Sequence, residues 1–313
     1  PTVPAATGTT VAVVGAGPAG LACATEAAAR GQTVTLFDAH PTIGGQFNLA
    51  RRIPGKEEFS ETLRYFTNRL ADTGVTERLG TLANIDDLSA FSVVVLATGI
   101  TPRKVKFPGS DHPHVHTYTD VIEGRATLGK RVAIIGAGGI GFDVAEFLTA
   151  EPRVESSTPA ATPNPQGVAE FLAEWGVDAA HQSRGGLIPP HQPPPPREVW
   201  LLQRSKDKLG GKLGKTTGWI HRAALKNRGV HMLSAVTYER FDEAGLHIAV
   251  HGKPQVLAVD DVVVCAGQEP RADLLEPLKA KGVSVQVVGG ARLAGELDAK
   301  RAIAEGTAAA LAI

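Results

Sequence analysis

The chain has 313 residues, enough for two domains that each bury a core. Its net charge is +0 and its pI is near 7.6, so no global field draws it to nucleic acid or to an anionic membrane. No apolar run reaches the ~18 residues of a membrane span, and the opening residues lack the basic start and apolar middle of a signal peptide.

Residues 2–10 read as a Pro/Ala/Thr lead, such as a linker from something upstream. The apolar run 11–14 then ends in Gly15-x-Gly17-x-x-Gly20, and the alanine-rich stretch 21–30 follows at once. A short buried strand, a glycine turn and a helix make the first unit of a dinucleotide-binding fold. Gly15 permits the tight turn, Gly17 lets backbone approach a pyrophosphate, and Gly20 lets helix and strand pack closely. Bare amides at the start of that helix face the phosphates with its positive dipole end, and Pro18 and Ala19 of the turn are expected at the dinucleotide. A second strand, 33–37, leads to Asp38 and Ala39, with the acid placed to accept from a ribose hydroxyl. The turn that follows, with Gly44, Gly45 and Gln46, is by itself an ordinary surface turn. Its position after the ribose-binding acid favours packing against a flat ligand instead. Arg51 and Arg52 are open to two readings, phosphate pairing or a solvated basic face.

Apolar spacing at Phe59, Leu63, Phe66 and Leu70 predicts a helix over 57–70. The strand 92–97 ends in Ala97, Thr98 and Gly99, where α/β sheets bind ligands. Residues 101–109 read as a crossover between domains. The opening device then repeats. A strand at 131–135 runs into Gly136, Gly138, Gly139, Ile140 and Gly141, with a helix continuing over 142–148. Asp143 in that helix is either a solvated first-turn acid or a group near a second nucleotide's nicotinamide.

Between 151 and 197 the pattern breaks into Pro, Ser, Thr and Gly, interrupted by a short helix at 168–175. So long a loop predicts an insertion that covers a site or docks on another domain. The strand 198–202 resumes the fold. Where Asp38 stands in the first repeat, the second has Gln203, Arg204, Ser205 and Lys206. An acid there accepts from a free 2′-hydroxyl, whereas arginine pairs with a 2′-phosphate, so this swap favours NADPH over NADH. Lys208, Lys212 and Lys215 add charge to the following loop. Residues 215–227 read as a helix containing His221; the other nine histidines show no ligand spacing, and no metal site is expected. Residues 236–238 and 247–250 alternate like antiparallel strands. A buried strand, 261–265, ends in Ala266 and Gly267, expected beside the second nucleotide. The strand 283–288 ends at Gly289-Gly290, and a last helix over 296–311 offers Leu297, Asp298 and Ala299 to the first domain's ligand.

Two cysteines, Cys23 and Cys265, sit far apart in apolar stretches and read as packing thiols. Without Cys-x-x-Cys, a dithiol redox site and a cysteine-held cluster are excluded from this chain, and low cysteine use suits a reducing cytoplasm. One site for a free ribose and one for a phosphorylated ribose fit FAD and NADPH. The chemistry expected is hydride transfer between their rings, with no catalytic acid or base required of this chain. The fold class expected is α/β, with two Rossmann-like domains, the second inserted in the first. The FAD-binding domain spans 1–107 and 271–313, and the NADPH-binding domain spans 108–270 with the insertion 151–197.

The order Gly-Ala-Gly-Pro-Ala-Gly, Gly-Gly-Gln-Phe, Ala-Thr-Gly, Gly-Ala-Gly-Gly-Ile-Gly and Gly-Gln-x-Pro resembles the glutathione-reductase-type flavoproteins. More narrowly, Leu36-Phe37-Asp38-Ala39-His40, Ile43-Gly44-Gly45-Gln46-Phe47-Asn48 and Leu213-Gly214-Lys215-Thr216-Thr217-Gly218-Trp219 resemble the bacterial NADPH-dependent 2,4-dienoyl-CoA reductases. That resemblance implies a polypeptide roughly twice as long, whose N-terminal barrel of the old-yellow-enzyme type holds FMN, an iron–sulfur (4Fe–4S) cluster and the acyl-CoA pocket. It implies an electron route from NADPH through FAD, cluster and FMN to the dienoyl thioester of unsaturated fatty-acid β-oxidation. The family's catalytic acids and cysteine ligands have no counterpart here, so the isolated chain is expected to be a diaphorase only. Two positions depart from the wider pattern: Gly290 replaces an Asp, and Asp298 a Gln. Two rivals remain. One is a structural ADP-holding module like that of trimethylamine-dehydrogenase relatives. The other is a free-standing NAD(P)H:ferredoxin-type reductase.

Overall fold

The structure is a computed structural model that describes residues 8–150, 165–191, 193–211, 213–295 and 298–313. It is α/β and divides into two compact units. The first comprises Pro1–Val105, Thr117–Arg125 and Cys265–Ile313, and the second Lys106–His116 and Ala126–Val264. Among the described residues no helix is long and apolar enough to cross a membrane.

The first unit is built on a five-stranded sheet in the order Ser284–Val287, Val93–Leu96, Thr10–Val14, Thr33–Phe37 and Thr76–Arg78, with every pairing parallel. The central strand, Thr10–Val14, is buried on both faces, which is why it reads as a continuous apolar run. Side chains alternate across it, with Val11 and Val13 in one core and Ala12 and Val14 in the other. The helices Pro18–Ala29 and Ala299–Ala312 pack closely because Gly306 has no side chain; a Cβ there would lie 2.0 Å from the Ala19 carbonyl oxygen.

Cys23 is fully buried in this core, and burial pushes its thiol up to about 12. Only the thiolate attacks an alkylating agent, so Cys23 is expected to resist iodoacetamide at pH 8 in the folded chain and to react on unfolding. Peptide mass mapping before and after denaturation checks this, and rapid native labelling of Cys23 would contradict it.

The second unit repeats the design. Its sheet runs Val115–Thr117, Asp261–Val264, Arg131–Ile135, Glu198–Leu202 and His231–Leu233. A separate antiparallel layer, Val236–Asp242, Gly245–Val250 and Lys253–Leu257, extends the pair of strands anticipated from alternation.

Several boundaries move for identifiable reasons. The first helix begins at Pro18, because proline's fixed φ suits the first helical turn. The helix expected over 215–227 begins at Gly218, with residues 215–217 forming a turn closed by the Gly218 amide on the Gly214 carbonyl at 2.7 Å. The helix in the insertion spans Pro165–Glu174, while residues 151–164 of that insertion lie outside the described residues. The short strand Thr76–Arg78 and the helix Tyr118–Ile122 carry too little pattern to be read from sequence.

Candidate functional site

In the first unit the Gly15–Gly20 turn joins the central strand to its helix. Gly15 has φ 110°, and a Cβ there would lie 2.3 Å from the Ala97 carbonyl oxygen. At Gly20 a Cβ would lie 1.8 Å from the Gly15 carbonyl oxygen. Both glycines are therefore demanded by the protein itself. Gly17 is not: its φ is −79°, and nothing stands within 4 Å of where its Cβ would be. It caps the helix Pro18–Ala29 without any side-chain hydrogen bond. An uncapped helix N-terminus behind an open glycine is a ready cradle for phosphate.

Asp38 follows the second strand, and its carboxylate accepts from the Ala16 amide at 2.6 Å and from the His40 amide at 2.7 Å. It thus holds the glycine turn in place as well as facing a cavity. That cavity, of about 270 Å³, lies at the C-terminal ends of the strands and is lined by Gly15, Asp38, Ala39, Leu82, Ala83, Thr98 and Arg271 among others. Its size approaches the lower end of the ~300–1,000 Å³ range of small-molecule pockets, enough for a nucleoside. Leu82 is 73% exposed, an apolar side chain left to water at the cleft.

The Gly44–Gly45 turn is tied to the glycine turn by the Gly44 amide on the Ala16 carbonyl at 2.8 Å. A Cβ at Gly45 would come within 3.0 Å of the Gly17 Cα, and Gln46 opens the helix Gln46–Ala50 beyond it. The Thr98 hydroxyl donates to the Arg271 carbonyl, whose own amide donates to the Gly99 carbonyl at 3.0 Å. Gly290 is buried in the turn Gly289–Ala291, and the Gly289 amide donates to Glu305 of the last helix at 2.7 Å. The Arg292 guanidinium bonded to Glu305 holds that carboxyl below the usual range. Asp298 caps the last helix by accepting from the Arg301 amide at 2.7 Å, with Ala299 as the first helical residue. Leu297 lies outside the described residues.

The second unit reproduces the first at the level of single hydrogen bonds. Gly15 donates to the Phe37 carbonyl at 2.7 Å, and Gly136 to the Leu202 carbonyl at 2.9 Å. Gly136 has φ 111°, and a Cβ at Gly141 would again lie 1.8 Å from the carbonyl oxygen of the first glycine. Gly138 and Gly139, like Gly17, have open space where a Cβ would stand, and Gly138 caps the helix Gly139–Thr149 without side-chain help. Ile140 and Asp143 are half-buried on that helix.

The difference lies after the second strand. Gln203 does not copy Asp38; its amide nitrogen donates to the Ser205 carbonyl at 3.3 Å and to the Asp207 carbonyl at 2.8 Å, shaping the loop that carries Arg204. Arg204 and Lys215 are exposed. Burial raises the Tyr238 phenol, and the Arg204 charge opposes that rise. His221 meets the buried Glu146 at 2.7 Å, which gives the ring a structural partner on the helix Gly139–Thr149. Ala266 and Gly267 fall in the first unit, where the Gly267 carbonyl accepts from the Arg103 amide at 3.0 Å. Arg52 donates to the Ile122 carbonyl at 2.9 Å, a structural bond within the first unit.

The residues brought to the first cavity from afar, Leu82, Ala83 and Arg271, carry no local motif. Their only sequence signal is a place just beyond the strand Thr76–Arg78 and the ladder strand Gln268–Pro270.

A family profile described as pyridine nucleotide-disulphide oxidoreductase matches residues 9–293. A metal reductase of Desulforamulus reducens is 28% identical over 90% of this chain and 41% of its own length. An NADH oxidase of Thermoanaerobacter brockii is 28% identical over 92% of this chain and 38% of its own length. The chain thus spans about two fifths of these curated relatives. Among solved structures, a 2-naphthoyl-CoA reductase in complex with 2-naphthoyl-CoA superposes with TM-score 0.80 and 26% identity, over 100% of this chain and 41% of that one. The thioredoxin reductase of T. acidophilum shares the fold at TM-score 0.63 and 16% identity, over 96% of both chains. With the profile covering most of its length, and with paired glycine turns built alike in both units, the chain belongs to the pyridine nucleotide-disulphide oxidoreductase family.

Proposed function

We propose that the chain is the flavin-reducing half of a longer NADPH-dependent enoyl-thioester reductase of the 2,4-dienoyl-CoA type. The observation that carries this reading is the pair of open glycines, Gly17 and Gly138, each capping a helix that no side chain caps. A group that needs backbone contact fits both places, and the residues around them differ as FAD and NADPH differ. Asp38 faces the cavity of the first unit and accepts from a ribose hydroxyl; in the second unit Gln203 takes the matching place, and Arg204, one residue beyond it, pairs with a 2′-phosphate. Gly45 and Gln46 extend the first cradle, and Thr98 and Arg271 close the far wall of its cavity.

A bound flavin would supply the hydride acceptor for a reduced nicotinamide. The chain's own residues bind and orient, and none is asked to move a proton. Support for a longer partner comes from coverage, since the matched relatives extend well beyond this chain, one of them a reductase of an aryl-CoA thioester. In this reading the N-terminal barrel of the same polypeptide holds FMN and the iron–sulfur cluster, and the protein works in the cytoplasm.

An anaerobic titration tests it. After incubation with FAD and gel filtration, the chain is expected to show flavin absorbance that NADPH bleaches, and to leave 2,4-dienoyl-CoA untouched. A colourless chain that keeps ADP instead would make the first cradle a structural nucleotide module. Dienoyl-CoA turnover by this chain alone would overturn the division of labour.

A further inference from the structure

Away from both glycine turns, three side chains of the second unit converge. His114 immediately precedes the edge strand Val115–Thr117 and His116 lies within it, and both rings face Asp261 on the neighbouring strand. Asp261 begins the neighbouring strand, and its side chain is 2% exposed. His114 Nδ1 lies 2.9 Å and His116 Nε2 3.0 Å from the same oxygen, Asp261 Oδ1. The ligating atoms all lie within 4.8 Å of one another.

The surroundings are those of a held carboxylate. Asp261 Oδ2 accepts from the Gly129 amide at 2.7 Å, which fixes the carboxylate plane and leaves Oδ1 turned to the two rings. The adjacent Asp260 takes a different load, accepting from the Lys130 and Arg131 amides and from the Arg131 guanidinium at 2.6 Å. Gly129 allows these acids to sit so close to the chain, since a Cβ there would be 2.6 Å from the Asp260 Cβ. Among the described residues no lysine or arginine lies within ion-pair distance of Asp261, so its side-chain neighbours are the two imidazole rings and no permanent positive charge. A buried carboxylate without a permanent positive charge is costly.

We propose that His114, His116 and Asp261 bind one Zn²⁺ ion. Two imidazole nitrogens and one carboxylate oxygen suit a borderline divalent metal and not Mg²⁺ or Ca²⁺, which take all-oxygen sets. Tetrahedral zinc with bonds of about 2.0–2.2 Å separates its ligand atoms by roughly 3.3–3.6 Å, a small expansion of the two His–Asp contacts. His116 is 16% exposed and His114 56%, so the site is closed on the Asp261 side and open on the other, where water completes the coordination. The ring of His112 stacks on that of His114 at 5.5 Å and accepts from the His114 amide, limiting how far the exposed ligand swings.

Asp261 pairs with Val132 near the start of the strand Arg131–Ile135, whereas Gly136 follows that strand's end. The ion therefore sits at the opposite end of the strands from the second glycine turn. Its role is to clamp the edge strand to its neighbour and not to touch a nucleotide.

Competition of the full chain against a chromophoric zinc chelator, after treatment with EDTA, tests the site. One Zn²⁺ per chain is expected, with H114A and H116A each weakening it at least about tenfold. His231, paired with Glu198 elsewhere on the surface, supplies the control, and H231A should bind as the parent does. His114 is exposed enough that H114A is expected to keep the parental circular dichroism. Cobalt substitution gives a second reading, in which the visible bands of a four-coordinate ion are expected in the parent and lost in H116A. Absence of saturable one-to-one binding, or equal affinity in the parent and both histidine variants, would overturn the proposal.

Discussion

Alanine at Gly17 is expected to weaken FAD binding about 30-fold while leaving the fold intact, whereas alanine at Gly20 destabilises the fold itself and weakens binding through it. The two glycines look equivalent in sequence and differ in what surrounds them. Nothing within 4 Å meets a Cβ at Gly17, so the added methyl touches only what enters the cradle. The loss of close approach is worth about 2 kcal/mol, by analogy with inserting a methylene into a packed site, and 1.4 kcal/mol is tenfold in affinity. Exchanging a glycine for an alanine helix cap adds at most about 1 kcal/mol of instability.

At Gly20 two effects compete. Alanine inside a helix gains roughly 0.5–1 kcal/mol over glycine. Against that, its Cβ would lie 1.8 Å from a backbone oxygen that has nowhere to go, a clash at or beyond the ~1–3 kcal/mol of ordinary overpacking. The clash wins, and G20A should unfold at lower urea. Fluorescence titration with FAD and urea unfolding on both variants separate the cases. If G17A binds FAD as the parent does, the open glycine is not a ligand contact.

Arg204→Ala is expected to lower kcat/KM for NADPH about 30-fold and to leave NADH nearly unchanged. Hydrogen bonds between charged groups contribute ~1.5–3 kcal/mol, and the exposure of Arg204 puts the effect in the middle of that range. The NADPH advantage should also shrink as salt rises, because an exposed ion pair is screened over about 8–10 Å. Steady-state ferricyanide reduction with each nucleotide measures both. A variant that loses NADH and NADPH activity equally would make Arg204 a structural residue of its loop.

What the sequence revealed and what it hid follow from the range of the interactions. The turns at Gly15–Gly20 and Gly136–Gly141 are local: strand, glycines and helix adjoin, and the steric demand is written within six residues. The sheet strands show as apolar runs because both faces are covered. The cavity wall is different, since Leu82 and Arg271 reach it through the topology of the sheet and no spacing rule connects them to Asp38. His114 and His116 looked unremarkable as ligands because their third partner is 145 residues beyond His116. Helix ends were misjudged where a proline or an aspartate cap overrode the apolar pattern, at Pro18 and Asp298.

The first sheet has an edge strand, Ser284–Val287, and a packing helix, Ala299–Ala312, that follow the whole second unit in the chain. A ribosome therefore delivers all of the second unit before the first has its full set of parts. Until then one side of the strand Val93–Leu96 is unpaired and the surface around Ala19 is bare. The second unit matures early and the first late, so the interval before the return segment emerges is when strand-edge aggregation competes with folding.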